Sequence, residues 1–196
     1  FTHISAMTPA EISRVEQIVN RAILDDIPVG REFVSQKEAV ARGAIDAGIS
    51  AAYAYPGTPS TEIFQTIQSQ AKALGLPVKG LWSTNEKVAL EEGVGVSYAG
   101  KRAIVAMKHV GLNVAADPFM NVAVSGAHGG LVVVVADDPS MHSSQNEQDS
   151  RYFADFAMVP CLEPADQQQC YDFTREAFEL SEALQVPVLL RLVTRL

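Results

Sequence analysis

Four short polar segments of this chain carry the side chains best suited to chemistry. Tyr55-Pro56-Gly57-Thr58-Pro59-Ser60 sets two aliphatic hydroxyls among two prolines and a glycine. Ser83-Thr84-Asn85-Glu86 ends in a carboxylate. Lys108-His109-Val110-Gly111-Leu112-Asn113 offers an ammonium, an imidazole and an amide, and the stretch from Asp137 to Asn146 adds acids, serines and His142. A carboxylate can hold or pass a proton, and hydroxyls and cations can bind an anionic substrate. Each segment also has a plain structural reading. The first is a tight turn with Ser60 as N-cap, and Glu86 is the N3 residue of a capping box. Lys108 and His109 are a solvated loop end, and His142 sits in a polar surface loop. The chain lacks a Gly-x-Gly-x-x-Gly fingerprint, a Walker loop and a Gly-x-Ser-x-Gly elbow, and its histidines and acids form no metal-ligand spacing.

What unites the four segments is their place after apolar runs. Strands are expected at Ser50–Tyr55, Val78–Trp82, Ala103–Lys108, Leu131–Ala136 and Val188–Val193, with a weaker one at Val159–Leu162. Runs such as LVVVVA suit strands covered on both faces. Helices are expected at Gln36–Ala47, Thr61–Leu74, Thr84–Tyr98, Pro118–Ala127, Glu147–Phe156 and Ala165–Leu184. Ser35 and Ser83 open capping boxes, Asp117-Pro118 supplies an N-cap and N1, and Gly48, Gly75 and Gly100 stand where helices end. The alternation predicts an α/β fold: a doubly wound, mainly parallel six-stranded sheet with helices on both faces. In such folds ligands bind beyond the carboxyl ends of the strands, where all four polar segments lie.

Length and composition agree. The chain has 196 residues, 47% hydrophobic and 19% charged, enough for one sizeable core. Its formal net charge of -8 and the lack of a basic stripe argue against nucleic acid as a partner. The longest apolar run, Leu131–Ala136, is too short to span a membrane. Phe1–Met7 shows no signal-peptide pattern, and two cysteines, Cys161 and Cys170, suit a reducing, cytoplasmic setting. Residues 1–34 read as a helical appendage, with Ile12, Val15, Ile18, Val19, Ala22 and Ile23 on one face and a break at Asp25–Gly30. Residues 35–196 form the main domain.

The strings YPGTPSTEI, WSTNEKVALEEGVGVSYAGKRAIVAMKHVGLNVAADPFMN and VVVVADDPSMHSSQNEQDSRYFADFAMVPCLEP resemble a known family. They are similar to the N-terminal part of the alpha subunit of indolepyruvate:ferredoxin oxidoreductases, within the thiamine diphosphate-dependent 2-oxoacid:ferredoxin oxidoreductases. The resemblance covers roughly Ser35 to Arg195. It implies the pyrimidine-binding domain, one of two that hold thiamine diphosphate between them. Glu86 then matches the glutamate that shares a proton with N1′ of the aminopyrimidine and so activates the cofactor. The resemblance further implies cofactor contacts at Tyr55, Pro56, Gly57, Thr58 and Asn113. It implies a substrate contact at Thr58. Lys108 and His109 follow the third strand, where a substrate-side loop is expected, so one of them is expected to contact the 2-oxo acid; His142 is a further candidate, and no metal ligand is expected.

The same resemblance implies oxidative decarboxylation of an aryl 2-oxo acid such as indolepyruvate to its acyl-CoA, with CoA as co-substrate and electrons passing to ferredoxin. Gly-Asp-Gly is absent, and two cysteines cannot hold a four-cysteine cluster. Mg²⁺ and the 4Fe-4S clusters are therefore expected on other domains or chains: a diphosphate-binding domain or subunit, a ferredoxin-type subunit and a gamma-type subunit. The chain is not expected to turn over alone. A subunit of a non-redox thiamine diphosphate-dependent 2-oxo acid decarboxylase, or a non-catalytic assembly module with the same fold, remain the alternatives.

Overall fold

The apolar runs pair into one sheet in the computed structural model, which describes residues 8–24, 35–58 and 60–193. The strands are β1 (Ala51–Ala54), β2 (Lys79–Trp82), β3 (Ala103–Lys108), β4 (Leu131–Asp137), β5 (Cys161–Leu162) and β6 (Val188–Val193). Their order is β2-β1-β3-β4-β6-β5, and every pairing is parallel. The helices described are α1 (Pro9–Leu24), α2 (Gln36–Asp46), α3 (Thr61–Ala73), α4 (Glu86–Tyr98), α5 (His109–Val114), α6 (Ala116–Ser125), α7 (Arg151–Ala157) and α8 (Gln167–Leu184). From β1 the chain moves outward to β2, and from β3 it moves the opposite way to β4. In doubly wound sheets a reversal of this kind, here between β1 and β3, marks the crevice at the strands' carboxyl ends where ligands bind.

Strand side chains alternate between two buried layers, as the two-residue period of a strand requires. Ala52, Ala54, Ile104, Ala106, Val132 and Val134 face one core, covered by α1, α2, α3 and α8. Tyr53, Val105, Met107, Val133 and Val135 face the other, under α4, α5, α6 and α7. Burial on both faces explains why β3 and β4 read as continuous apolar runs. Ile18 of α1 is buried against the first core. The break at Asp25–Gly30, Pro59 of the turn, Phe1–Met7 and the α1 side chains from Val19 onward lie outside the described residues.

Several element boundaries differ from the sequence expectation, each for a local reason. Helix α4 begins at Glu86 rather than Thr84, because Asn85 is the N-cap and its Oδ1 accepts the Val88 N–H at 2.9 Å. Glu86 is therefore N1, and the capping box is not formed; the Ser83 hydroxyl instead donates to Glu92. The stretch after β3 is helical, not a loop, so Asp117 falls inside α6, where its carboxylate pairs with Lys87 at 3.0 Å. The helix expected from Glu147 starts at Arg151, because Asp149 and Ser150 are drawn into other contacts. Gly48, Gly75 and Gly100 do take positive φ after their helices (74°, 63° and 72°).

One buried ion pair ties the sheet to the loop beyond it. Asp137 ends β4 fully buried, and Arg191 of β6 reaches its Oδ2 with Nε at 2.6 Å. Glu163 takes the Arg191 Nη1, and Asp137 also accepts the Ser150 N–H at 3.0 Å and the Ser150 hydroxyl. Removing one member strands a buried charge. Arg191→Met is expected to lower stability by about 3–5 kcal/mol in urea unfolding. A loss of under about 1 kcal/mol contradicts a role for the pair in holding the fold.

Candidate active site

The turn after β1 is held by its own residues. The Gly57 N–H donates to Thr61 Oγ1 at 2.8 Å, and the buried Ser60 hydroxyl donates to the Gly57 carbonyl at 2.8 Å. Ser60 stands at the N-cap of α3, yet its side chain closes the turn rather than capping the helix. This leaves Tyr55, Pro56 and Thr58 exposed at the crevice mouth. Gly57 does not take a positive φ. A Cβ at Gly57 would meet the Lys108 stem in ordinary contact, 3.4 Å from its Cδ.

Glu86 enters from the start of α4 and lies across α5. An added Cβ at Gly111 would sit 2.6 Å from Glu86 Oε1 and 2.7 Å from its Cγ, closer than real contacts allow. Only glycine at this position leaves the carboxylate its place. Glu86 is half-buried, and no hydrogen bond or ion pair reaches its carboxylate from the described residues.

The stretch from Asp138 to Ser150 forms the third wall. Asp138 is fully buried, and its Oδ2 accepts the Ser143 N–H at 2.7 Å and the Ser144 hydroxyl at 2.8 Å. Lys108 Nζ donates to the Ser143 carbonyl at 3.0 Å. The His109 ring is fully buried and meets Asn146, while Asn113 Nδ2 donates to Gln148 Oε1 at 3.1 Å. Ser140 and Met141 hold positive φ values of 67° and 52°, sparsely populated for residues with side chains. His142 is exposed. At the far end the Arg151 guanidinium holds the Asp149 carboxyl down to about 2 against its partial burial, with a smaller pull from Arg191. Burial pushes the thiols the other way, Cys161 to about 11 and Cys170 to about 12, which leaves both unreactive as nucleophiles.

The structure thus brings Tyr55, Pro56, Gly57, Thr58, Glu86, Lys108 and Asn113 to the carboxyl edge of the sheet, with His142 on the neighbouring loop and His109 beneath it. Sequence reasoning set Gly111, Asp137, Asp138 and Asn146 within the polar segments but gave none of them a role, and it missed Arg191. A lone arginine in the apolar strand VLLRLV signals a buried partner, and two acids ending an apolar strand supply it. The unpartnered carboxyl in a cradle that a Cβ would fill is placed to share a proton with an accepting ring nitrogen, as N1′ of an aminopyrimidine offers. Among the described residues no cluster of potential ligands could hold a metal ion.

The sequence matches a family model described as pyruvate flavodoxin/ferredoxin oxidoreductase, thiamine diphosphate-binding, over residues 42–192. It is 49% identical over 176 residues to the indolepyruvate oxidoreductase subunit IorA of Archaeoglobus fulgidus, covering 89% of this chain and 28% of that protein. Identity to the Pyrococcus abyssi protein of the same name is 51%, over 90% of this chain and 27% of that protein. The 2-oxoglutarate synthase subunit KorA of Methanothermobacter thermautotrophicus is 32% identical, over 80% of this chain and 43% of that protein. The chain therefore spans under a third of the length of the indolepyruvate relatives. A 2-oxoglutarate:ferredoxin oxidoreductase from Magnetococcus marinus, solved with 2-oxoglutarate, coenzyme A and succinyl-CoA bound, shares the fold. Its TM-score is 0.70 at 21% identity, over 86% of this chain and 32% of that one.

The contact between Glu86 and Gly111 generates a direct test. Gly111→Ala should fold, because alanine favours a helix. Its crystal structure should show the Glu86 side chain in a different rotamer. An unmoved Glu86 contradicts the steric reading of Gly111.

Proposed function

The chain belongs to the thiamine diphosphate-binding family of pyruvate flavodoxin/ferredoxin oxidoreductases, and on that premise we propose that it holds the aminopyrimidine of the cofactor in a 2-oxoacid:ferredoxin oxidoreductase. The observation that carries this reading is the unpartnered Glu86 carboxylate over Gly111, beside the β1–β3 reversal. When bound, thiamine diphosphate supplies a nucleophilic carbon and an electron sink for decarboxylation.

This chain's residues bind and orient. Glu86 holds a proton at N1′ of the pyrimidine. Tyr55, Pro56 and Gly57 shape the platform beside it, and Asn113 lines the far wall. The Thr58 hydroxyl and the Lys108 ammonium bind the substrate carboxylate, the latter by a charge-assisted bond worth roughly 1.5–3 kcal/mol. His142 sits at the entry. His109 is assigned away from direct contact, because its ring is fully buried and engaged with Asn146.

The preferred substrate is an aryl 2-oxo acid such as indolepyruvate, converted to its acyl-CoA with ferredoxin as acceptor. Higher identity to the indolepyruvate subunits than to the 2-oxoglutarate subunit supports that choice. Diphosphate, Mg²⁺ and 4Fe-4S clusters belong to other domains or subunits, including ferredoxin-type and gamma-type ones, and the setting is cytoplasmic. Residues 1–34 are an appendage to a pyrimidine-binding domain over 35–196, with Ile18 of α1 packed on the core of that domain.

Glu86→Gln tests the assignment. Asn85 provides the cap, so the change removes no helix-capping bond. Stability should stay within about 0.5 kcal/mol of the parent. Proton exchange at C2 of thiamine diphosphate in the assembled enzyme, followed by NMR, should slow by at least ~100-fold. Near-normal exchange in a folded variant rules Glu86 out of cofactor activation.

A further inference from the structure

Lys108 and His109 are adjacent in sequence, yet they serve the site differently. Lys108 spans two walls of the crevice: its stem lies on Gly57 and its Nζ donates to the Ser143 carbonyl. His109 reaches the same loop three residues further on. Its Nε2 lies 3.0 Å from the Asn146 carbonyl and 3.2 Å from Asn146 Oδ1. A carbonyl only accepts, so Nε2 carries the hydrogen. Nδ1, the other ring nitrogen, is buried with no partner among the described residues. The ring is placed for its one good bond, at the expense of its other nitrogen.

That bond falls where the loop has fewest other ties. Asp138 gathers Ser143 and Ser144, and Ser150 is fixed on Asp137. Between these anchors, Asn146 meets His109 and Gln148 meets Asn113. The same loop carries the strained Ser140 and Met141 and supplies the carbonyl that parks the Lys108 ammonium.

We propose that His109 is a positioning residue: by donating from Nε2 to Asn146 it sets the height of the Pro139–Asp149 loop, and through Ser143 the position of the Lys108 ammonium. The consequence for substrate rests on the function proposed above; the hold on the loop does not. When a carboxylate enters, the ammonium exchanges a neutral carbonyl for an anionic partner, and a loop held at the right height keeps that exchange short.

Hydrogen–deuterium exchange on the chain itself tests the hold on the loop. His109→Phe keeps an aromatic ring and removes the donor, so peptides covering residues 139–149 should exchange at least about tenfold faster while those of β3 and β4 stay unchanged. His109→Gln places an amide N–H close to the position of Nε2 and should restore protection. Unchanged exchange in His109→Phe, or equally fast exchange in His109→Gln, overturns the positioning role. In the assembled enzyme, His109→Phe should raise KM for the 2-oxo acid about tenfold, with kcat within about threefold. A fall in kcat at constant KM overturns the link to Lys108. A parent assembly that turns over no 2-oxo acid sinks the proposed function, and the exchange experiment still decides the hold on the loop.

Discussion

The close approach of Glu86 to Gly111 constrains everything around it. The carboxylate lies where a side chain at Gly111 would be, so α4 and α5 must meet at their first turns. That meeting is fixed from below. Leu90 of α4 and Leu112 of α5 are buried in one core layer over β3 and β4. Burying two such side chains is worth about 1.5–3 kcal/mol each, which fixes the two helices against each other. The carboxyl is thereby left open to share a proton with a ring nitrogen of a ligand.

Around this point the crevice is built from charges set in apolar surroundings. Asp137, Asp138 and Arg191 are all buried at the carboxyl end of the sheet, where the two acids accept backbone N–H groups and the arginine pairs with carboxylates. Such groups are poor sources of net stability, because their desolvation offsets much of their attraction. Their effect is to select one loop conformation, including the left-handed Ser140 and Met141. Asp149, held charged far below neutrality by Arg151, closes the loop's far end and keeps doing so across the physiological range. Linkage gives the sign: a depressed carboxyl contributes above its unfolded value and loses that contribution only as pH falls toward about 2.

How much of this was legible in the sequence follows from the range of each interaction. The sheet was readable because double-sided burial forces unbroken apolar runs, as in LVVVVAD. The start of α4 was misplaced because Ser83, Thr84 and Asn85 are all competent caps, and tertiary contacts decide among them; Ser83 is taken by Glu92. The short helix α5 was hidden by Gly111, which lowers helix propensity for the sake of a neighbour distant in sequence. Lys108 and His109 could be placed at the site but not given separate roles, since nothing local reveals that one ring is buried and the other side chain bridges two walls. The pairing of Asp137 with Arg191 spans the sheet and has no local signature beyond a charge in an apolar strand.

The central claim is that Glu86 awaits the pyrimidine nitrogen. Nitrogen-15 NMR of thiamine diphosphate labelled at N1′, bound to the assembled enzyme, tests it most directly. The account predicts an N1′ resonance displaced from that of the free cofactor toward a protonated, hydrogen-bonded nitrogen. A bound cofactor whose N1′ resonance stays at its free position contradicts it.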